Sequence, residues 1–308
     1  ARAVAIVPAC ASPRFAHGHP LIDCTASPIV RREPARAGPP LLEFPMNHSV
    51  RMPYDDRLRS MLASGERLRG MFVGLPAPAL VEMCAYAGFD FVVVDNEHGS
   101  ADLQTTEHML RAARASGVVP IVRCLLQDLA RVLDLGVSGV QVPMISTVAE
   151  AEDLVRRVRY PLPGGQGGAR GVAFSTRAAG YGAFGGADHV RRSNDSIGVI
   201  AMIETPEGVA NAFEIASVPG IDAVFVGPND LAHSMGYEHR WQEPAVLQAI
   251  EHTLREVARA GKCPGTLAAG QAEEDRLAAF GTRYFAQVIS NVITQALRQA
   301  AHPGGAAR

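Results

Sequence analysis

Two carboxylates in this sequence stand where a metal ion could be held. Glu204 directly follows the apolar run Gly198–Ile203, and Asp230 ends Gly227-Pro228-Asn229-Asp230, which follows Ala223–Val226. If these runs are neighbouring parallel strands, about 4.8 Å apart, the two carboxylates can converge on one cation. Two carboxylates completed by water and substrate oxygens suit Mg²⁺ or Mn²⁺, with Co²⁺ a further fit. Taken singly, each could instead cap the next helix or pair with an arginine. It is the pair, after matched runs, that favours metal.

Two other strand ends carry chemistry. After Phe91–Val94 comes Asp95-Asn96-Glu97-His98. An imidazole can be tuned to take a proton near neutral pH, so His98 is a candidate general base; the plain alternative is a hydrogen-bonded structural histidine. Arg123 ends Val119–Arg123, where a buried guanidinium needs an anion. A substrate carboxylate or a developing enolate would serve, and so would a structural salt bridge to Asp95 or Glu97. The Gly227-Pro228-Asn229-Asp230 turn offers backbone amides to an anion, as Gly168-Ala169-Arg170-Gly171 does more weakly. Lys262 is the only lysine. It precedes a strand, the wrong end for a Schiff-base nucleophile, which argues against lysine-dependent carbonyl chemistry.

The elements that must position these groups are legible from Gly70 onward, where short apolar runs alternate with amphipathic stretches. The strands expected are Met71–Leu75, Phe91–Val94, Val119–Arg123, Gly139–Val142, Gly198–Ile203, Ala223–Val226, Gly265–Ala268 and Tyr284–Val288. Helices announce their ends: Asp102 caps one running to Ala115 before Gly117, Thr147 and Glu150 have capping-box spacing, and Thr205-Pro206 fits N-cap and N1. Eight such units predict an α/β (β/α)8 TIM barrel, with a doubly wound open sheet as the alternative. Reactive side chains then belong at the C-terminal ends of the strands. The glycine-rich stretch 160–196 breaks the rhythm. It reads as a βα-side excursion that covers the site or touches a neighbouring subunit, or else as a mobile surface loop.

Composition sets the class. The 308 residues are 47% hydrophobic and 19% charged, with formal charge −2, enough to bury a full core and no basis for a nucleic-acid or membrane partner. No apolar run reaches membrane-span length, which leads to the expectation of a cytoplasmic protein acting on small molecules. Five cysteines without a Cys-x-x-Cys pair suggest neither disulfides nor a thiolate zinc site. Residues 1–52 are rich in proline and lack periodicity, so they are expected to be a disordered or non-native extension before a barrel domain over 53–308, with natural translation starting near Met46 or Met52.

The motifs Ala87-Gly88-Phe89-Asp90 through Asp95-Asn96-Glu97-His98, Gln141-Val142-Pro143-Met144, Ile203-Glu204-Thr205 and Val226-Gly227-Pro228-Asn229-Asp230-Leu231 occur in this order. In them the chain resembles the HpcH/HpaI family of class II pyruvate aldolases, those of the 4-hydroxy-2-oxoheptanedioate and 2-keto-3-deoxy sugar acid type. The resemblance implies reversible retro-aldol cleavage of a 4-hydroxy-2-oxo acid to pyruvate and an aldehyde. It implies His98 as proton acceptor, Asp134 raising its basicity, Arg123 stabilising the enolate-like transition state, and Glu204 and Asp230 as metal ligands. Substrate would meet Met202, Gly227, Pro228 and the amides of Asn229 and Asp230. A homo-oligomer, a hexamer by resemblance, is also implied. Met202 departs from the family's glutamine, the segment between Arg123 and Asp134 is shorter than usual, and Gln287–Asn291 lacks the usual glycine and aspartate. Two alternatives stand beside this reading: an acyl-CoA lyase of the citrate or malyl type, and a catalytically impaired barrel that only binds a keto acid.

Overall fold

A computed structural model of the chain describes residues 52–164, 167–238 and 240–302. The expectations for residues 1–51 and for Gly165-Gln166 lie outside these.

The chain enters through α1 (Leu58–Ala63) and then alternates strand and helix. The first half comprises β1 (Leu68–Val73), α2 (Pro78–Tyr86), β2 (Phe91–Asp95), α3 (Leu103–Ser116), β3 (Val119–Arg123), α4 (Leu129–Asp134), β4 (Gly139–Val142) and α5 (Val148–Val158). After α6 (Gly186–Ser196) come β5 (Gly198–Ile203), α7 (Pro206–Ala210), α8 (Ala212–Ser217), β6 (Ala223–Val226) and α9 (Pro228–Ser234). The chain ends with α10 (Pro244–Arg259), β7 (Cys263–Leu267), α11 (Gln271–Ala278), β8 (Tyr284–Val288) and α12 (Ile289–Ala301). Every strand pairs in parallel with the next, and β8 closes on β1. The barrel is therefore closed, and the open-sheet alternative falls away.

Side chains alternate across each strand, so each contributes to two cores. Phe91, Ile121, Ile200, Phe225 and Tyr284 fill the barrel, with the Phe91 and Tyr284 rings stacked at 4.5 Å. Val92, Val94, Val122 and Val140 face outward onto Met109, Leu133 and the other helix residues. Leu58 of α1 plugs the N-terminal end, or base. A Cβ on Gly139 or Gly198 would come within 2.3 or 2.7 Å of the Leu58 Cδ2, so the two glycines leave room for that side chain where it sits. The expected caps are made: Asp102 accepts the Thr105 N–H at 2.7 Å, Gly117 closes α3 at φ 86°, and Thr147 and Glu150 exchange backbone bonds.

Three features differ from expectation. Strand β1 begins at Leu68, pairing Leu68 with Tyr284 and Arg69 with Phe285, although Arg67 and Arg69 interrupt the apolar run. Strand β7 begins at Cys263 and includes Pro264, which lacks an N–H but still accepts from Arg283 N at 3.1 Å. The excursion 160–196 joins the end of α5 to the start of β5, so it lies at the base and not on the βα side. There Arg170 donates to Leu133 O at 3.0 Å, Arg177 donates to Leu135 O, and Asn194 exchanges two bonds with the Tyr160 backbone.

Cys84, Cys124 and Cys263 are free and buried. Among the described residues, no helix is long and apolar enough to cross a membrane.

Candidate active site

At the C-terminal ends of the strands, the mouth, a cavity of about 350 Å³ opens. Asp95, His98, Arg123, Met202, Glu204, Gly227, Pro228, Asn229 and Asp230 all line it. Of the sequence-predicted site residues only Asp134 is missing. It closes α4, and a helix that runs back between parallel strands ends at the base, away from His98. There it meets Arg170 Nη2 at 3.4 Å. Within one chain the carboxylate near His98 is that of Glu97, 3.8 Å from Nε2.

The loop after β2 is organised by Asp95. Its Oδ1 accepts the N–H groups of Glu97 and His98 at 3.1 and 3.3 Å, turning the chain so that His98 reaches the cavity. Gly99 must be glycine, because a Cβ there would lie 2.0 Å from Asp95 O. Arg123, directly across the β2–β3 ladder, donates from Nε and Nη2 to Asp95 at 2.9 and 2.6 Å. Its Nη1 is 3.3 Å from Glu97 Oε2, and its Cζ lies 4.9 Å from the Phe72 ring centre. The structural salt bridge weighed against a substrate contact is therefore present, and Arg123 also lines the cavity. Burial alone would raise the Asp95 carboxyl, but the guanidinium and the two N–H groups outweigh it and hold it below the usual range. Glu97 shifts the other way, with burial exceeding what Arg123 offsets.

Glu204 is 2% exposed at the end of β5. Its Oε2 accepts the Met144 N–H at 2.8 Å, and Met144 adopts φ 60°, an uncommon conformation for a side chain of this size, as it presents that N–H. Gly227 makes room on the other side, since a Cβ there would lie 2.4 Å from Glu204 Oε1. Burial, with the charges of Asp230 and Glu97 adding to it, pushes the Glu204 carboxyl up to about 7 despite the Met144 bond. No cation among the described residues forms an ion pair with it, and the more distant Arg123 charge is outweighed by those of Asp230 and Glu97. Among the described residues no three histidine, cysteine, aspartate or glutamate side chains group as a ready metal cage. Two carboxylates with open positions for water and substrate oxygens are the donor set left. They fit a hard divalent cation.

Phe72, Leu75, Phe225, Leu267, Val288 and Ser290 also line the cavity, and sequence reasoning misses them. The apolar ones are identical in type to core residues, so only the closed barrel reveals that they face the mouth. Lys262 is at the base, where its Nζ donates to Ile221 O at 2.7 Å, far from any nucleophile's place.

A family model described as HpcH/HpaI aldolase/citrate lyase matches residues 68–291. Over 244 residues the chain is 36% identical to a hydroxypyruvate/pyruvate aldolase of Deinococcus radiodurans, covering 78% of this chain and 86% of that protein. It is 34% identical over 244 residues to a 5-keto-4-deoxy-D-glucarate aldolase of Shigella dysenteriae, covering 78% of this chain and 92% of that one. A solved HpcH/HpaI aldolase/citrate lyase family protein from Burkholderia cenocepacia superposes with a TM-score of 0.74 at 30% identity, over 80% of this chain and 100% of that one.

Proposed function

The chain belongs to the HpcH/HpaI aldolase/citrate lyase family and is a carbon–carbon lyase of the aldolase kind. From that premise we propose that it reversibly cleaves a 4-hydroxy-2-oxo acid to pyruvate and an aldehyde, with Glu204 and Asp230 as ligands of a divalent cation. The observation that carries the reading is the surplus of carboxylates around Glu204, a buried acid raised to about 7 beside Asp230 in a cavity that also holds an imidazole and a guanidinium. A bound Mg²⁺, Mn²⁺ or Co²⁺ would polarise the keto oxygen and offset the charge that develops on it.

The remaining work falls to the chain. In cleavage His98 accepts the proton of the C4 hydroxyl, the C3–C4 bond breaks, and its electron pair passes into the enolate of pyruvate. The Glu97 carboxylate, 3.8 Å from Nε2, is the negative charge beside the imidazolium that forms. Arg123, fixed by Asp95 before substrate arrives, presents its remaining N–H to the developing negative charge without reorganising. Gly227, Pro228 and the amides of Asn229 and Asp230, at the start of α9, receive the substrate carboxylate, and Met202 packs beside it. Asp134 could act on a histidine only from another copy of the chain. A homo-oligomer is part of the same reading, supported by the exposure of Val292 and Leu297 on α12.

The test is pyruvate release from a racemic 4-hydroxy-2-oxo acid, followed with lactate dehydrogenase and NADH. Activity abolished by chelation and restored by Mg²⁺ or Mn²⁺ is the expected result. Activity indifferent to chelation would rule the cation out, and retention of pyruvate without turnover would point to a binding protein.

A further inference from the structure

A carboxylate at the end of a strand can turn about its last bond and offer either oxygen, or both, to a cation. Glu204 is held on one side only. Its Oε2 accepts the Met144 N–H at 2.8 Å, whereas Oε1, beside Gly227 in the wall of the mouth cavity, accepts no hydrogen bond among the described residues. The N–H reaches Oε2 because Met144 holds φ 60°, in the left-handed region that a residue with a side chain enters at a cost. Its surroundings must keep it there. The Met144 side chain, 52% exposed, packs too little to do so.

The two residues that follow are fastened around the end of β5. The Ile145 N–H donates to Met202 O at 2.9 Å. Ser146 is held at three points. Its hydroxyl shares a hydrogen bond of 2.6 Å with the Thr205 hydroxyl, its carbonyl accepts from Asn211 Nδ2 at 2.8 Å, and its N–H donates to Glu150 Oε2 at 2.9 Å. Thr205 directly follows Glu204, so one set of contacts ties the acid to the donor that meets it. On the cation reading above, we propose that Ser146 and Asn211 are positioning residues. Through the left-handed Met144 backbone they keep Oε2 occupied, so that Oε1 alone is presented to a divalent cation. A single bond from this carboxylate leaves coordination positions for substrate oxygens, and a partner on the second oxygen fixes the direction of the first.

The experiment measures Mn²⁺ binding to the full chain without substrate, from the electron paramagnetic resonance signal of the free ion, a readout independent of turnover. Ser146→Ala and, separately, Asn211→Ala are expected to weaken binding about tenfold, the lower end of what loss of a partner behind a metal ligand costs. Glycine adopts positive φ without support, so Met144→Gly added to either variant keeps the N–H and should return most of the lost affinity. Undiminished binding in both alanine variants overturns the proposal. So does a loss that the glycine leaves untouched, since general loosening of the fold would not respond to that residue. Asn211 is half-buried, and its variant carries the test if Ser146→Ala fails to fold. Wild type that binds no Mn²⁺, or binds it equally after Glu204→Gln, sinks the cation reading and this inference together. Binding that needs Glu204 but ignores Ser146 and Asn211 sinks this inference alone.

Discussion

At the base of the barrel arginines end on carbonyl oxygens and paired carboxylates, while at the mouth the carboxylates outnumber the guanidinium that faces them. Arg170 donates to Leu133 O and to Ser193 Oγ, Arg159 donates to Ile197 O, and Arg59 binds Asp222 at 2.9 Å. These contacts fasten loops to strand starts, although Arg159 Nη2 and Arg170 Nε are buried without a hydrogen-bond partner among the described residues. At the mouth, Asp95 is satisfied by Arg123, but Glu204 has a single backbone N–H, and the charges of Asp230 and Glu97 outweigh that of Arg123. The same kinds of side chain serve stability at one end and, on the proposed function, receive a cation and substrate at the other.

The sharpest way to break this contrast is to neutralise the mouth. Glu204→Gln or Asp230→Asn is expected to lower kcat by roughly 10³-fold or more, about 4 kcal/mol in the barrier, measured as pyruvate release. Activity within a few-fold of wild type would contradict the assignment of the metal ligands.

The next effect concerns stability in chelated protein. An unfolded Glu204 ionises near 4.5 and the native one only near 7, so the native state loses stability as pH rises between those values. Glu204→Gln removes that loss. It should match wild type near pH 4.5 and exceed it by up to about 3 kcal/mol at pH 8 in urea unfolding. An advantage that fails to grow with pH would mean that the carboxyl is not held up by its surroundings.

The base should answer in the opposite manner. Arg170→Met is expected to cost about 2 kcal/mol of stability through the lost charged hydrogen bonds, while kcat per folded subunit stays within a few-fold. A large fall in kcat with unchanged stability would give the base a catalytic part. The smallest expected effect is at Gly227→Ala, whose methyl must push Glu204 from its seat. It should reduce kcat about tenfold with a Tm close to wild type, since a small displacement weakens transition-state contacts before it unsettles packing.

Much of the barrel and of its mouth is legible in the amino-acid sequence alone. Runs such as Phe91–Val94 and Gly198–Ile203 are apolar because both faces of a parallel strand are covered, and in such a barrel the polar residue that ends the run must emerge at the mouth. That is why His98, Arg123 and Glu204 can be named from the sequence. Strand starts are harder to read, because Arg69 and Pro264 look like breakers although the ladder tolerates both at the base. The excursion 160–196 reads as a βα-side feature because local pattern carries no sign of the direction in which a helix returns, and Asp134 enters the site only through the family resemblance. In the fold α4 and α5 run back, and both features belong to the base. The apolar lining of the cavity gives no signal, since Phe225 and Leu267 are core residues by every local criterion.

The most direct test of the central claim is exchange of the pyruvate methyl protons into D₂O, followed by NMR, with and without Mg²⁺ or Mn²⁺, in wild type and His98→Ala. Exchange that requires the cation and disappears in the variant is the predicted result. Absence of exchange with every metal, or exchange that survives loss of His98, would contradict the account.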